Sequence, residues 1–134
     1  MKISHLDHLV LTTEHLPECL HFYTEILGME LMEINGRYAL KFGNQKINIH
    51  TRKAEFLPAA KNVEYGSLDI CLIACGPVDE VKKELEEKGA VIEEGIVSRT
   101  GAMGPINSIY LRDPDGNLIE ISSYPNSVKS KELT

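Results

Sequence analysis

Side chains able to hold a metal recur at matching places in this chain. His8 opens an apolar stretch, Leu9-Val10-Leu11, and Gly28 follows it by 20 residues. Asp69 opens a second stretch, Ile70-Cys71-Leu72-Ile73, and Gly89 follows it by 20 residues. A helix-like segment lies inside each interval. A ligand-type residue repeated in two copies of a unit points to a site built from both copies. Strand alternation then says which residues share a face. In residues 46–51, Ile47 and Ile49 oppose Asn48 and His50, and in residues 118–122, Ile119 and Ile121 oppose Glu120 and Ser122. If helices cover the apolar faces, then His8, Asp69, Glu120 and either His50 or Asn48 lie on the faces left open. Mixed imidazole and carboxylate donors suit one divalent transition metal per site, whether Zn, Ni, Co, Mn or Fe. His5, His15 and His21 have no comparable context and are assigned no role.

The elements that must position these residues are legible in the pattern. A strand over 5–12 leads to a helix with Pro17 in its first turn, with Leu20, Phe22, Tyr23, Ile26 and Leu27 on its apolar side, and with Gly28 as its C-cap. Strands follow at Glu30–Ile34, Arg37–Phe42 and Lys46–Thr51, joined by turns at Asn35-Gly36 and Gly43-Asn44. Residues 52–66 lack periodicity and read as a connector. The order then repeats: strand 68–75, helix 77–88 with Val78, Val81 and Leu85 on one side, and strand 90–97. A glycine-bearing loop from Arg99 to Pro105 precedes strand 107–112, and Asp113-Pro114-Asp115-Gly116-Asn117 turns the chain into a last strand, Leu118–Ser122. The prediction is an α+β domain of two β-α-β-β-β modules, about 4–51 and 67–124, with a polar tail from 125 to 134.

Bulk properties narrow the partners. The 134 residues make one domain's worth of chain, and a net charge of −6 disfavours nucleic acid and anionic membranes. No apolar run nears the roughly 20 residues needed to span a bilayer, and no signal-peptide layout precedes the first strand, so a cytoplasmic location is expected. Cys19, Cys71 and Cys75 form no disulfide framework and read as small buried or half-buried residues of a reduced compartment.

Three stretches carry a resemblance. Leu6-Asp7-His8-Leu9-Val10-Leu11, the helix end Phe22-Tyr23 through Leu27-Gly28-Met29, and Asp113-Pro114-Asp115-Gly116-Asn117-Leu118-Ile119-Glu120 resemble the vicinal oxygen chelate superfamily. That superfamily includes glyoxalase I, fosfomycin-resistance thiol transferases, bleomycin-resistance proteins, methylmalonyl-CoA epimerase and extradiol dioxygenases. The resemblance spans residues 4–124 and is nearest to the small glyoxalase-domain-containing proteins. It implies paired modules whose sheets form a half-barrel around a metal, with ligands at His8, at His50 or Asn48, at Asp69 and at Glu120. Of the middle pair His50 is preferred, because imidazole is the better transition-metal ligand. Glyoxalase I itself usually has histidine in place of Asp69 and glutamate near Asn48.

The implied activity is that of a divalent-metal lyase of the lactoylglutathione lyase type, acting on a small molecule or its thiol adduct. The metal would chelate substrate oxygens and stabilise an oxyanion or enediolate, with Glu120 as the base. Arg99 with Thr100 would hold a carboxylate or phosphate, and Tyr110 and Arg112 would line the pocket. The alternatives are an Fe(II) dioxygenase using two histidines and one carboxylate, and a metal-free binder like the bleomycin-resistance proteins. Short members of the family often build the site between two chains, so a homodimer is expected.

Overall fold

The computed structural model describes residues 1–125; the predicted tail beyond Pro125 lies outside the described residues. The strands and helices are β1 His8–Thr12, α1 Leu16–His21, β2 Glu30–Ile34, β3 Arg37–Phe42, β4 Gln45–His50, β5 Asp69–Ile73, α2 Val78–Glu87, β6 Glu94–Gly101, β7 Gly104–Arg112 and β8 Leu118–Ser123. They form an α+β fold with two four-stranded mixed sheets, β1-β4-β3-β2 and β5-β8-β7-β6. In each, the first strand lies parallel to the last strand of its own module and the other pairings are antiparallel. Among the described residues the chain divides into two compact units: Met1–Leu68 with Pro114–Gly116, and Asp69–Asp113 with residues 117–125.

In the first unit, alternation sends Leu11, Leu40, Ile47 and Ile49 to the buried face, with Cys19, Phe22 and Tyr23 buried from the helical segment. Each fully buried aliphatic side chain contributes about 1.5–3 kcal/mol. The segment is not one α-helix as the 3.6-residue pattern predicts. After His21 the chain widens into a π turn over Phe22–Ile26, with Leu27 N–H donating to the Phe22 carbonyl at 3.0 Å. Phe22 and Tyr23 are adjacent in sequence, yet both are buried, and their rings meet edge to face at 4.9 Å. The extra residue per turn is what lets two successive aromatics point inward. Between β2 and β3, Asn35 and Gly36 both take positive φ, 52° and 75°, as a two-residue type I′ hairpin requires.

In the second unit, Ile109, Leu111 and Ile119 are fully buried, and α2 packs on β7 and β8 with Val78 and Leu85 inward. Val78 N–H donates to Ser123 Oγ at 3.0 Å, which supplies an acceptor at the helix start. Strand β6 differs most from expectation. It begins at Glu94 rather than at residue 90 and runs through Gly101, so Arg99 and Thr100 sit on a strand and not in a loop. The register shifts between Gly95 and Val97, and a Cβ on Gly95 would come within 2.7 Å of the Ser108 carbonyl. Only glycine fits so close to β7, and the bulge it permits restores the pairing out to Gly101 and Gly104. Of the cysteines, Cys19 is buried, but Cys71 and Cys75 are exposed. Cys71 shares its strand's open face, so apolar character alone did not place it.

The turn before β8 is closed by side chains. Asn117 donates its backbone N–H to Asp113 Oδ1 at 2.9 Å and its Nδ2 to Asp113 Oδ2 at 2.8 Å, with both residues buried. Asp113→Ala removes the acceptor of two charge-assisted hydrogen bonds inside the protein. We expect a loss of about 3 kcal/mol, read from the urea midpoint. A change below about 1 kcal/mol would mean that the turn is held elsewhere.

Candidate functional site

The faces that the helices leave open carry the residues of interest. In the first unit, a cross-strand row on that face runs Val10, Asn48, Ala39, Met32, and beside it Thr12 pairs with His50 and Arg37 with Ile34. His8 stands opposite Lys46. Its Nδ1 is hydrogen-bonded to Asp7 Oδ2 at 2.8 Å, which leaves Nε2 as the ring nitrogen free to act. The same bond holds the Asp7 carboxyl below its usual range. A carboxylate behind an imidazole in this way sets the tautomer a metal ligand needs.

The parallel register decides which β4 residue His8 can work with. Asn48 is offset from it by two residues, about 8 Å between Cα atoms at ordinary strand spacing. His50 is offset by four residues, about 13 Å along the strands before the sideways step between them is counted. Its ring instead lies edge-on to Phe56, with centroids 5.1 Å apart. The expectation that His50 pairs with His8 therefore meets a geometric difficulty, and Asn48 is the nearer partner.

The second unit repeats the arrangement. Asp69 is opposite Leu118, so Glu120 is offset from it by two residues, as Asn48 is from His8. Glu120 Oε2 accepts a hydrogen bond from Ser108 Oγ at 2.7 Å, and Ser108 and Ser122 hydroxyls lie 2.6 Å apart. Both serines are fully buried. One carboxylate oxygen is thus fixed from below, and the other remains for chemistry. Cys71 is Glu120's register partner, and its Sγ lies 3.3 Å from Ser122 Oγ. Burial pushes the Cys71 thiol up, against the Ser122 hydroxyl, and the Glu120 carboxylate adds to the rise. It stays a thiol at neutral pH. A cavity of about 310 Å³ opens here, lined among others by Cys71, Thr100, Gly101, Glu120 and Tyr124.

Thr100 thus stands in the cavity with Glu120. Arg99 is already engaged: Nε donates to the Tyr110 hydroxyl at 3.0 Å, and Nη2 lies 3.5 Å from Glu94 Oε1. Arg112 pairs through Nε and Nη2 with both oxygens of Glu93, at 3.1 and 3.2 Å, and holds that carboxyl below its usual range.

Among the described residues, one trio of His, Cys, Asp or Glu donors lies within 4.8 Å of one another: Glu14, His15 and Asp115. Sequence reasoning passed over it, since His15 follows a strand end without any pattern and Asp115 is remote in sequence. Its hydrogen bonds explain it as structure. Asp115 accepts from the Thr13 hydroxyl and from Glu14 N–H, and Thr13 Oγ1 accepts from His15 N–H. These bonds tie the chain after β1 to the 114–116 turn.

The family model described as Glyoxalase/Bleomycin resistance protein/Dioxygenase superfamily matches residues 5–121. The chain is similar to virulence protein STM3117 of Salmonella typhimurium, 49% identical over 125 residues, 92% of this chain and 87% of that protein. It is 46% identical over 128 residues to a glyoxalase domain-containing protein, RDO1, of Mycosarcoma maydis, covering 95% of this chain and 72% of the relative. Among solved structures, an integron cassette protein of V. cholerae superposes with a TM-score of 0.88 at 53% identity, over 92% of this chain and 98% of the other. A lactoylglutathione lyase of Agrobacterium tumefaciens shares the fold at 22% identity, with a TM-score of 0.72 over 91% and 95% of the two chains.

Proposed function

Because the chain belongs to the glyoxalase/bleomycin resistance protein/dioxygenase superfamily, we propose that it is a divalent-metal enzyme of the glyoxalase type, acting on a small molecule. The reading rests on one observation above all. Each sheet carries a donor pair at the same register, His8 with Asn48 and Asp69 with Glu120, on the face its helix leaves open. The donors also have the support that ligands need: Asp7 behind His8, and Ser108 behind Glu120. These residues would hold the ion, which when bound supplies Lewis-acid polarisation of substrate oxygens. Glu120 would take a proton from the carbon next to a carbonyl, with Ser108 keeping the carboxylate aimed during the transfer. The Cys71 thiol and Thr100 would line the substrate's side of that cavity. A thiol adduct of a small carbonyl compound, the substrate class that the sequence resemblance implies, is the first to assay.

A second reading has one observation in its favour. Asn48 is a neutral amide at the place equivalent to Glu120, and such a donor binds transition metals weakly. A metal-free binder of small molecules would tolerate it. The Fe(II) dioxygenase alternative needs two histidines on one ion, and the four-residue offset between His8 and His50 does not support that.

Metal analysis of protein purified without chelator separates these readings. We expect roughly one divalent ion per chain, Asn48→Ala to weaken binding by about three- to tenfold, and His50→Ala to leave it unchanged. Protein that stays empty when supplied with Mn, Co, Ni and Zn would overturn the enzyme reading. Loss with His50→Ala alone would return the ligand role to His50.

A further inference from the structure

The open face of the first sheet is cationic in a chain of net charge −6. It carries Arg37, Lys41 and Lys46, with Glu30 as the one acidic residue of its cross-strand rows. Among the described residues, ion pairs of the first unit engage His8, His15 and Lys53, and none engages these three cations. Asp7, whose carboxyl feels the field of Lys46, is itself bonded to His8. This contrasts with Arg99 and Arg112 of the second unit, both already matched by glutamates. Lys41 and Lys46 thus have no carboxylate partner, and Arg37 is held by an aromatic ring instead of one.

Two of them border a pocket. It has a volume of about 120 Å³, and its lining includes Arg37, Lys46, Asn48, Met32, Ile34 and Phe56. The Arg37 guanidinium lies over the Phe56 ring, 3.8 Å from its centroid. Stacking holds the guanidinium plane in place and partly strips its water, while its N–H edge stays available. An edge-on planar fork matches a carboxylate, which accepts two parallel hydrogen bonds, better than it matches a neutral carbonyl. Lys46 adds a second positive charge, and Met32, Ile34 and the rest of Phe56 add apolar contact. The volume is well under the roughly 300 Å³ at which drug-sized pockets begin, so the occupant is small.

We infer that this pocket binds a small organic carboxylate with a flat apolar body, Arg37 holding the carboxylate, Lys46 adding positive charge from the other end of the pocket, and Phe56 with Met32 flanking the body. Asn48 belongs both to this pocket and to the proposed donor set. As a statement about the enzyme's substrate, the inference therefore rests on the metal-enzyme reading. As a statement about binding it does not, and the test keeps the two apart.

The probe is benzoate, titrated into the full-length protein as purified and again after chelator treatment, with amide NMR shifts as the readout. Benzamide, of the same shape without the charge, and acetate, with the charge but no apolar body, serve as comparisons. Benzoate should bind in both preparations and shift the amides around Arg37, Asn48 and Phe56. Benzamide and acetate should each bind about tenfold more weakly or less. Arg37→Gln, whose folding is checked from its own spectrum, should weaken benzoate by about tenfold, and Lys46→Gln, acting only through its charge, by about threefold. Benzoate that binds only before chelator treatment, benzamide that matches benzoate, or an Arg37→Gln protein with full affinity overturns the inference. Benzoate bound by chelated protein stands whatever the metal analysis shows.

Discussion

Replacing Glu120 with alanine should remove more than 100-fold of the protein's metal affinity while leaving it folded. The magnitude follows from position. Losing a residue that only supports a ligand typically costs 10- to 100-fold, and the loss of a charged ligand itself costs more. Turnover should fall further, by the roughly 10²- to 10⁴-fold that a positioned base contributes. Stability should change little, because the Ser108 and Ser122 hydroxyls already face each other at 2.6 Å and can satisfy one another when the carboxylate goes. The net cost of the lost hydrogen bond is then about 1 kcal/mol. Glu120→Gln isolates the charge, since it keeps an acceptor for Ser108 and nearly the same shape. His8→Ala should behave like Glu120→Ala in metal content, and its side chain is 45% exposed, so no core is emptied. Equilibrium dialysis against Co(II) or Ni(II), with the urea midpoint measured beside it, gives both quantities. A full metal complement in either alanine variant would show that the donors have been wrongly assigned.

What the sequence disclosed of this arrangement is mostly what alternation can carry. Period-two patterning separates Ile47 and Ile49 from Asn48 and His50, and the structure buries the isoleucines. Asn35-Gly36 marks its hairpin because both residues take positive φ, a local demand with a local signature. Features set by partners were harder to see. The π turn at Phe22 answers to the packing of two adjacent aromatics, which helical periodicity does not encode. Val91 and Ile92 read as strand, yet β6 begins only at Glu94, and Val91 is exposed. The bulge at Gly95 shifts the register beyond it, which brings Arg99 onto the face of Tyr110. The pairing of Arg99 with Glu94 depends on that shift, that of Arg112 with Glu93 on the pairing ahead of the bulge, and neither was visible in one dimension.

The choice between Asn48 and His50 shows the same division. Chemistry alone prefers the imidazole, and repeat alignment prefers the amide. The observed register puts Asn48 at the place equivalent to Glu120, because Val10 faces Asn48 just as Cys71 faces Glu120, and the paired Asn48→Ala and His50→Ala metal measurements decide between the two. The proposed assignment puts reach before basicity. For side chains as short as these meeting on one ion, two residues of offset leave about 8 Å between Cα atoms to close, whereas four leave more than about 13 Å.

On the proposed reading each donor pair would be half a set, and completion from a second chain makes the strongest remaining prediction. The open faces carry exposed apolar side chains beside their donors: Val10 is 46% exposed, Ile34 64% and Ile73 54%. Covering such residues is a driving force for association. In the symmetric homodimer we propose, the first unit of one protomer meets the second unit of its partner, and twofold symmetry makes two equivalent sites. His8→Ala and Glu120→Ala proteins are then each inactive alone. Mixed, partly unfolded and refolded together, they should form heterodimers in which both lesions fall in one site and leave the other whole. Random re-pairing should restore roughly a quarter of the wild-type metal sites and activity, whereas either protein carried through the same treatment alone should restore none. If tagged heterodimers are isolated and bind no metal, each site draws its ligands from a single chain and the shared-site arrangement is wrong. If they bind about one ion for every two that a wild-type dimer holds, His8 of one chain and Glu120 of the other serve the same ion.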